Sequence, residues 1–259
     1  MIEDKLQIPI RSNIKLPALL RKPTAPGRYP AVVLVPGLGM TLHEWNNSFD
    51  EISGKLVSQR FLTLQFSFDI FKSDGTCREL PLNQRARQLE DVLQWLFKRS
   101  DVDSTRVGIL AQSYGVPTTL VANTKGIKTY LFVSGTFLPK DSITKVYQER
   151  GCVINYDGDT TLPRSSGENT TVSKEFWESI DMFDYRQVAK KLTKPVLVVH
   201  GDQDAKVATS SVVSVFQEIS SLDKKLKIFK GGDHGITDVP KQMRQEFLQD
   251  VATWFSQTL

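Results

Sequence analysis

Short apolar runs alternate with amphipathic stretches along most of the chain. Ala31-Val32-Val33-Leu34-Val35, Val107-Gly108-Ile109-Leu110-Ala111 and Pro195-Val196-Leu197-Val198-Val199 are unbroken blocks bounded by turn residues or charge. That is the pattern of strands buried on both faces. Weaker strand patterns lie at 5–9, 15–21, 61–66, 129–134 and 225–229. Between them the period changes. Over 82–99, Ala86, Leu89, Val92, Leu93, Leu96 and Phe97 fall on one helical face, with charges opposite. Segments 50–59, 209–219 and 241–257 read as further helices, and another follows residue 113. Strands alternating with helices predict an α/β fold, a mostly parallel sheet covered on both sides. Ligands bind such sheets at the carboxyl ends of the strands.

The rhythm fails at 136–190. This stretch lies between two core strands, where direct connections usually take ~2–6 residues. It is expected to be an inserted cap or lid, with 1–135 and 191–259 forming the core. It carries Phe137, Tyr147, Tyr156, Phe176, Trp177, Phe183 and Tyr185. Residues 152–156 and 170–172 are expected to pair as a small hairpin across the polar loop 157–169, with a helix over 174–180. Most of these aromatics are expected to glue the cap to the core. Phe176 and Trp177 are the candidates for a substrate-binding wall.

The candidate chemistry sits where the strands end. In Ala111-Gln112-Ser113-Tyr114-Gly115 a serine stands between small residues at a strand-to-helix junction, the pattern of a nucleophile elbow. Ser73 and Ser165 also begin a Ser-x-Gly, but in polar, turn-like stretches. A serine nucleophile needs a base, and the chain has three histidines. His43 precedes the serine. His200 closes an apolar run and reads as structural. His234, in Gly231-Gly232-Asp233-His234-Gly235, follows the 225–229 strand pattern on a loop able to bring an imidazole back over the sheet edge. The orienting acid must come from His200-Gly201-Asp202-Gln203-Asp204, where two aspartates compete and either could instead make an Asx turn. Serine, acid, histidine is the chain order of one triad class. Upstream, Pro36-Gly37-Leu38-Gly39 ends the 31–35 run. A turn there can offer the Leu38 N–H as an oxyanion donor beside the N–H of Tyr114.

These four pieces, in this order and spread over most of the chain, resemble the α/β-hydrolase superfamily. The subgroup they are most similar to is the cinnamoyl/feruloyl esterase type of carboxylesterase. The resemblance implies an α/β-hydrolase fold with its cap after the sixth strand, and it places the acid at Asp204. One departure is Pro36, where many relatives have His; the backbone donors survive it. Dehalogenase chemistry would put Asp at position 113, and dienelactone-hydrolase chemistry Cys.

Composition narrows the rest. The chain has 259 residues, 40% hydrophobic, ample for one large core. Its 33 basic and 29 acidic residues are interspersed, with no basic stripe carrying aromatics, so nucleic acid is not an expected partner. Cys77 and Cys152 make neither a disulfide scaffold nor a metal cluster. The opening Met1-Ile2-Glu3-Asp4-Lys5-Leu6 lacks a long apolar core, and no stretch approaches a membrane span, so a cytoplasmic location is expected. The expected activity is hydrolysis of carboxylic esters of small, mostly apolar or aromatic acyl groups, by Ser113, His234 and Asp204, with no cofactor and a small-molecule ester as partner. A thioesterase or small-peptide hydrolase would use the same machinery. A non-catalytic binding protein is the alternative of another class.

Overall fold

A computed structural model describes residues 1–163 and 169–259. Residues 164–168, which hold Ser165 and part of the polar loop expected at 157–169, lie outside the described residues. In chain order, the core begins with β1 (Ile2–Pro9), β2 (Lys15–Lys22), β3 (Tyr29–Val35), α1 (Ser48–Ser58) and β4 (Leu62–Phe66). After a short β5 (Cys77–Arg78) come α2 (Leu82–Phe97), β6 (Val102–Gln112), α3 (Gly115–Val121) and β7 (Thr129–Val133). The stretch 136–190 supplies α4 (Pro139–Glu149), β8 (Thr160–Leu162), β9 (Thr170–Val172), α5 (Lys174–Asp181) and α6 (Tyr185–Lys190). The chain ends with β10 (Val196–Gly201), α7 (Thr209–Glu218), β11 (Lys224–Phe229) and α8 (Lys241–Thr258).

One eight-stranded sheet runs β1-β2-β4-β3-β6-β7-β10-β11. Every pairing from β4 across to β11 is parallel, while β2 runs antiparallel to both its neighbours. Side chains alternate between two cores, because successive Cβ atoms of a strand point to opposite faces. Ala31, Val33, Val35, Ile109, Phe132 and Val198 pack with residues of α2, α3 and α7. Val32, Leu34, Leu110, Val133, Leu197 and Val199 pack with residues of α1 and α8. Where both faces are covered, as along 31–35, 107–111 and 196–199, a strand has no polar face and reads in the sequence as an unbroken apolar run.

From β3 the chain steps outward to β4 on one side and returns to β6 on the other. That reversal opens a crevice at the carboxyl ends of β3 and β6, the usual site of binding in such sheets. Both chemical loops predicted for those ends therefore meet there.

The 136–190 stretch differs in detail from expectation. Its hairpin joins β8 to β9, not 152–156 to 170–172. β9 also pairs in parallel with β5, which ties the stretch to the segment after β4. The helix α4 is not visible as a long apolar stripe, because only Pro139, Ile143 and Tyr147 are buried on it. Its signals are local: Pro139 stands at the helix start, where a missing N–H costs nothing, and Asp141 lies in the first turn. α6 packs on α3 and α7 in the core layer.

Candidate active site

Ser113 occupies the sharp turn between β6 and α3. Its φ of 52° is left-handed, which an L-residue adopts only when its surroundings impose it. The fixing bonds are backbone ones: Ser113 N–H donates to the Val133 carbonyl at 3.0 Å, and Thr136 N–H donates to the Ser113 carbonyl at 3.1 Å. Gly115 allows the approach. A Cβ there would stand 2.4 Å from the Val35 carbonyl oxygen and 3.0 Å from that of Pro36. Both obstacles are backbone, so Gly115→Ala is expected to destabilise the fold by ~1–3 kcal/mol or more. A denaturant midpoint equal to wild type would show that α3 does not need this contact.

The candidate acid and base follow the last two strands, Asp204 after β10 and His234 after β11. His234 Nδ1 lies 2.8 Å from Asp204 Oδ2. The other oxygen, Asp204 Oδ1, accepts from the N–H groups of Lys206 at 2.8 Å and Val207 at 3.0 Å. The Asp204 side chain is fully buried. Burial alone would raise its pKa, but the hydrogen bond and charge of His234, with the two amides, hold it below the ordinary aspartate value. Asp202 does something else: its Oδ1 accepts the Gly231 N–H at 2.6 Å and pins the start of the histidine loop. The two loops touch, since a Cβ on Gly201 would fall 2.2 Å from the Gly232 carbonyl oxygen. Ser134 Oγ accepts the Gly235 N–H at 2.9 Å and holds the far side of that loop.

Ser113 and His234 line one cavity of about 140 Å³. They do not hydrogen-bond to each other here, and Ser113 Oγ lies 3.4 Å from Thr136 Oγ1. Catalytic contacts are often this loose before substrate binds. Leu38 and Tyr114 also line the cavity. The Tyr114 N–H donates to no protein group among the described residues. Its side chain is buried among Arg85, Phe176 and the core of the 136–190 stretch.

Part of the cavity wall comes from α4 and β8, where Ile143, Val146, Tyr147 and Leu162 give apolar surface beside the polar Ser142 and Arg150. Phe176 and Trp177, expected to form that wall, are not among its lining residues. They sit one layer behind. Trp177 packs edge-on to Tyr147 at 6.1 Å and Phe176 lies 5.6 Å from Tyr114. The apolar face of α5 is turned inward to make the core of this stretch, so its aromatics support the wall without forming it.

Three charged residues around the site went unmarked by the sequence. Glu44 is buried at the cavity edge and accepts the Gly37 N–H at 2.7 Å. Burial pushes its carboxyl above the ordinary glutamate value, against the pull of the Gly37 and Trp45 amides. Glu79 and Arg85 form a wholly buried ion pair at 2.9 Å beneath the 36–39 turn. The sequence did hold one signal for this pair. Arg85 shares the stripe of Leu82, Ala86 and Leu89, so a charge stands on the apolar face of α2. Among the described residues, no three His, Cys, Asp or Glu side chains gather where a metal could sit, and no helix is long and apolar enough to cross a membrane.

Solved structures share this architecture. Est1E from Butyrivibrio proteoclasticus matches with a TM-score of 0.78 at 19% identity, over 98% of each chain. Another structure of that protein carries ferulic acid. A dienelactone hydrolase from Anabaena variabilis matches with a TM-score of 0.69 at 14% identity, over 100% of this chain and 98% of the other. A monoacylglycerol lipase of Mycolicibacterium smegmatis is 35% identical over 68 residues, which is 26% of this chain and 24% of the lipase. Residues 77–259, well over half of the chain, match the prolyl oligopeptidase family. That stretch holds the serine elbow, the Asp204 loop and the His234 loop, and the chain is an α/β-hydrolase belonging to the prolyl oligopeptidase family.

Proposed function

We propose that the protein is a serine esterase that cleaves carboxylic esters of small, mostly apolar or aromatic acyl groups through Ser113, His234 and Asp204. The observation that carries this is the 2.8 Å His234–Asp204 bond beside a cavity that the strained Ser113 turn also lines. A carboxylate on Nδ1 places the imidazole proton there and leaves Nε2 as the base. Ser113 Oγ attacks the ester carbonyl as Nε2 takes its proton. The Leu38 and Tyr114 N–H groups receive the oxyanion. Collapse expels the alcohol, which takes the proton from Nε2. Water then attacks the acyl-enzyme by the same route and frees the acid.

The acyl preference rests on the apolar part of the cavity lining, from Leu38, Met40, Ile143, Val146, Tyr147 and Leu162. The ferulic acid seen in the Est1E structure and the lipase relative support a carboxylic ester. The family match supports a second reading, hydrolysis of small peptides, because amide and ester cleavage share every step above. Purified enzyme is to be assayed on one acyl group presented as methyl ester, thioester and arylamide. The methyl ester is expected to give the highest kcat/KM. A higher value on the arylamide would replace the esterase reading with the peptidase one.

The cap makes a separate prediction. Ile143→Ala and Leu162→Ala are expected to reorder a short series of acyl groups by ~1–3 kcal/mol in kcat/KM, the scale of hydrophobic discrimination. Trp177→Ala is expected to cost ~3–5 kcal/mol of stability as a buried aromatic and to leave the order alone. Melting temperature and kcat/KM, measured on each variant, separate the two effects. Reordering by Trp177→Ala alone would put the specificity wall in the wrong place.

A further inference from the structure

The 36–39 turn is held from both sides by buried charge. Glu44 Oε2 accepts the Gly37 N–H at 2.7 Å, and Glu79 Oε2 accepts the Gly39 N–H at 2.6 Å. Arg85 takes the carbonyls, donating to Pro36 at 2.7 Å and to Gly37 at 3.3 Å. Leu38, between the two held amides, lines the cavity. We propose that Glu44, Glu79 and Arg85 are positioning residues that hold this turn in the shape an oxyanion donor at Leu38 requires. The inference rests on the serine-hydrolase reading and on Leu38 as donor.

Each member is itself over-determined, which a packing role would not need. Arg85 is bonded to Glu79 and to Thr118 Oγ1 at 3.1 Å, and its guanidinium lies 4.0 Å over the Phe68 ring. Glu79 Oε1 also accepts the Leu80 N–H at 3.0 Å. Its own N–H donates to the Thr171 carbonyl at 2.8 Å, so the β5–β9 pairing reaches the turn through this residue. Glu44 is held at a positive φ of 59° with an extended ψ of −177°, and Asn46 and Asn47 follow in the left-handed helical region. Strain of that kind persists only where the surroundings enforce it. An isolated buried ion pair is weak support for stability. A pair that reaches three backbone groups of one turn, the Gly39 N–H and the Pro36 and Gly37 carbonyls, has a positional role instead.

The test separates position from mere folding. Glu44→Ala removes the acceptor for Gly37, and Glu44→Gln keeps one. Glu79→Leu combined with Arg85→Met replaces the pair by apolar side chains of similar volume, so that no lone buried charge remains while the turn loses these partners. For each variant the melting temperature, kcat and KM per mole of folded protein, and the affinity for a trifluoromethyl ketone are measured. That ketone becomes a tetrahedral adduct of the serine and reports the oxyanion site. Glu44→Ala and the double variant are expected to lose ~10²-fold in kcat, the scale of one oxyanion donor, with a similar loss of ketone affinity and KM within about twofold. Glu44→Gln is expected to stay within about fivefold of wild type. A folded variant that keeps both kcat and ketone affinity overturns the assignment for the residues it removes. Glu44→Gln falling as far as Glu44→Ala overturns the holding role of Glu44, since charge and not the Gly37 bond would then matter. Failure of the underlying reading shows elsewhere: turnover would survive in Ser113→Ala, and the ketone would not bind wild type.

Discussion

Ser113→Ala is expected to abolish turnover, with a loss on the order of 10⁶ in kcat and little change in melting temperature. The size follows from the role. Without Oγ there is no acyl-enzyme, and the remaining groups can only orient water. The fold is expected to survive because the side chain lines the cavity and its hydrogen bond to Thr136, at 3.4 Å, is weak. The turn is held by backbone bonds from Val133 and Thr136, which alanine keeps. A fluorophosphonate should label wild type once, at Ser113, and leave the variant unlabelled. Labelling of the variant at another serine would move the nucleophile and with it the proposed triad.

The site was legible in the sequence where chemistry and strand ends coincide. Ser113 and Asp204 follow apolar runs and His234 follows a weaker strand pattern, and a parallel sheet brings such positions to one edge whatever lies between them. The 31–35, 107–111 and 195–199 runs were legible for the same reason: burial on both faces removes the polar positions that would blur a strand. Legibility ended where a side chain's role depends on a neighbour distant in sequence. Glu44 is an acid in a polar loop, and only the folded turn places it against Gly37. Arg85 did break the apolar face of α2, but nothing in the chain pointed to Glu79 as its partner. In the 136–190 stretch, aromatic density suggested Phe176 and Trp177. Aromatic side chains bury more area than any other, and this stretch uses them for its own core. The thinner stripe of α4, Ile143, Val146 and Tyr147, lines the cavity instead.

Asp204→Asn carries the second-largest expected effect and decides between two acids two residues apart. The carboxylate accepts from His234 Nδ1, and an Asn amide turned to donate there would favour the imidazole tautomer with its proton on Nε2, where the base must be empty. A loss of ~10⁴ in kcat is expected, the scale of a triad that keeps its geometry but has the wrong tautomer. The N–H groups of Lys206 and Val207 can still be accepted by the Asn oxygen, so the loop is expected to hold. Asp202→Asn is the matched control. Its oxygen only accepts the Gly231 N–H, and asparagine keeps that acceptor. Its kcat is expected to stay within about tenfold of wild type. The two variants are to be compared on one methyl ester, with the melting temperature of each measured alongside. If Asp202→Asn lost more than Asp204→Asn at equal stability, the acid would be Asp202, and the 2.8 Å bond to His234 would have to be a resting contact that breaks before chemistry.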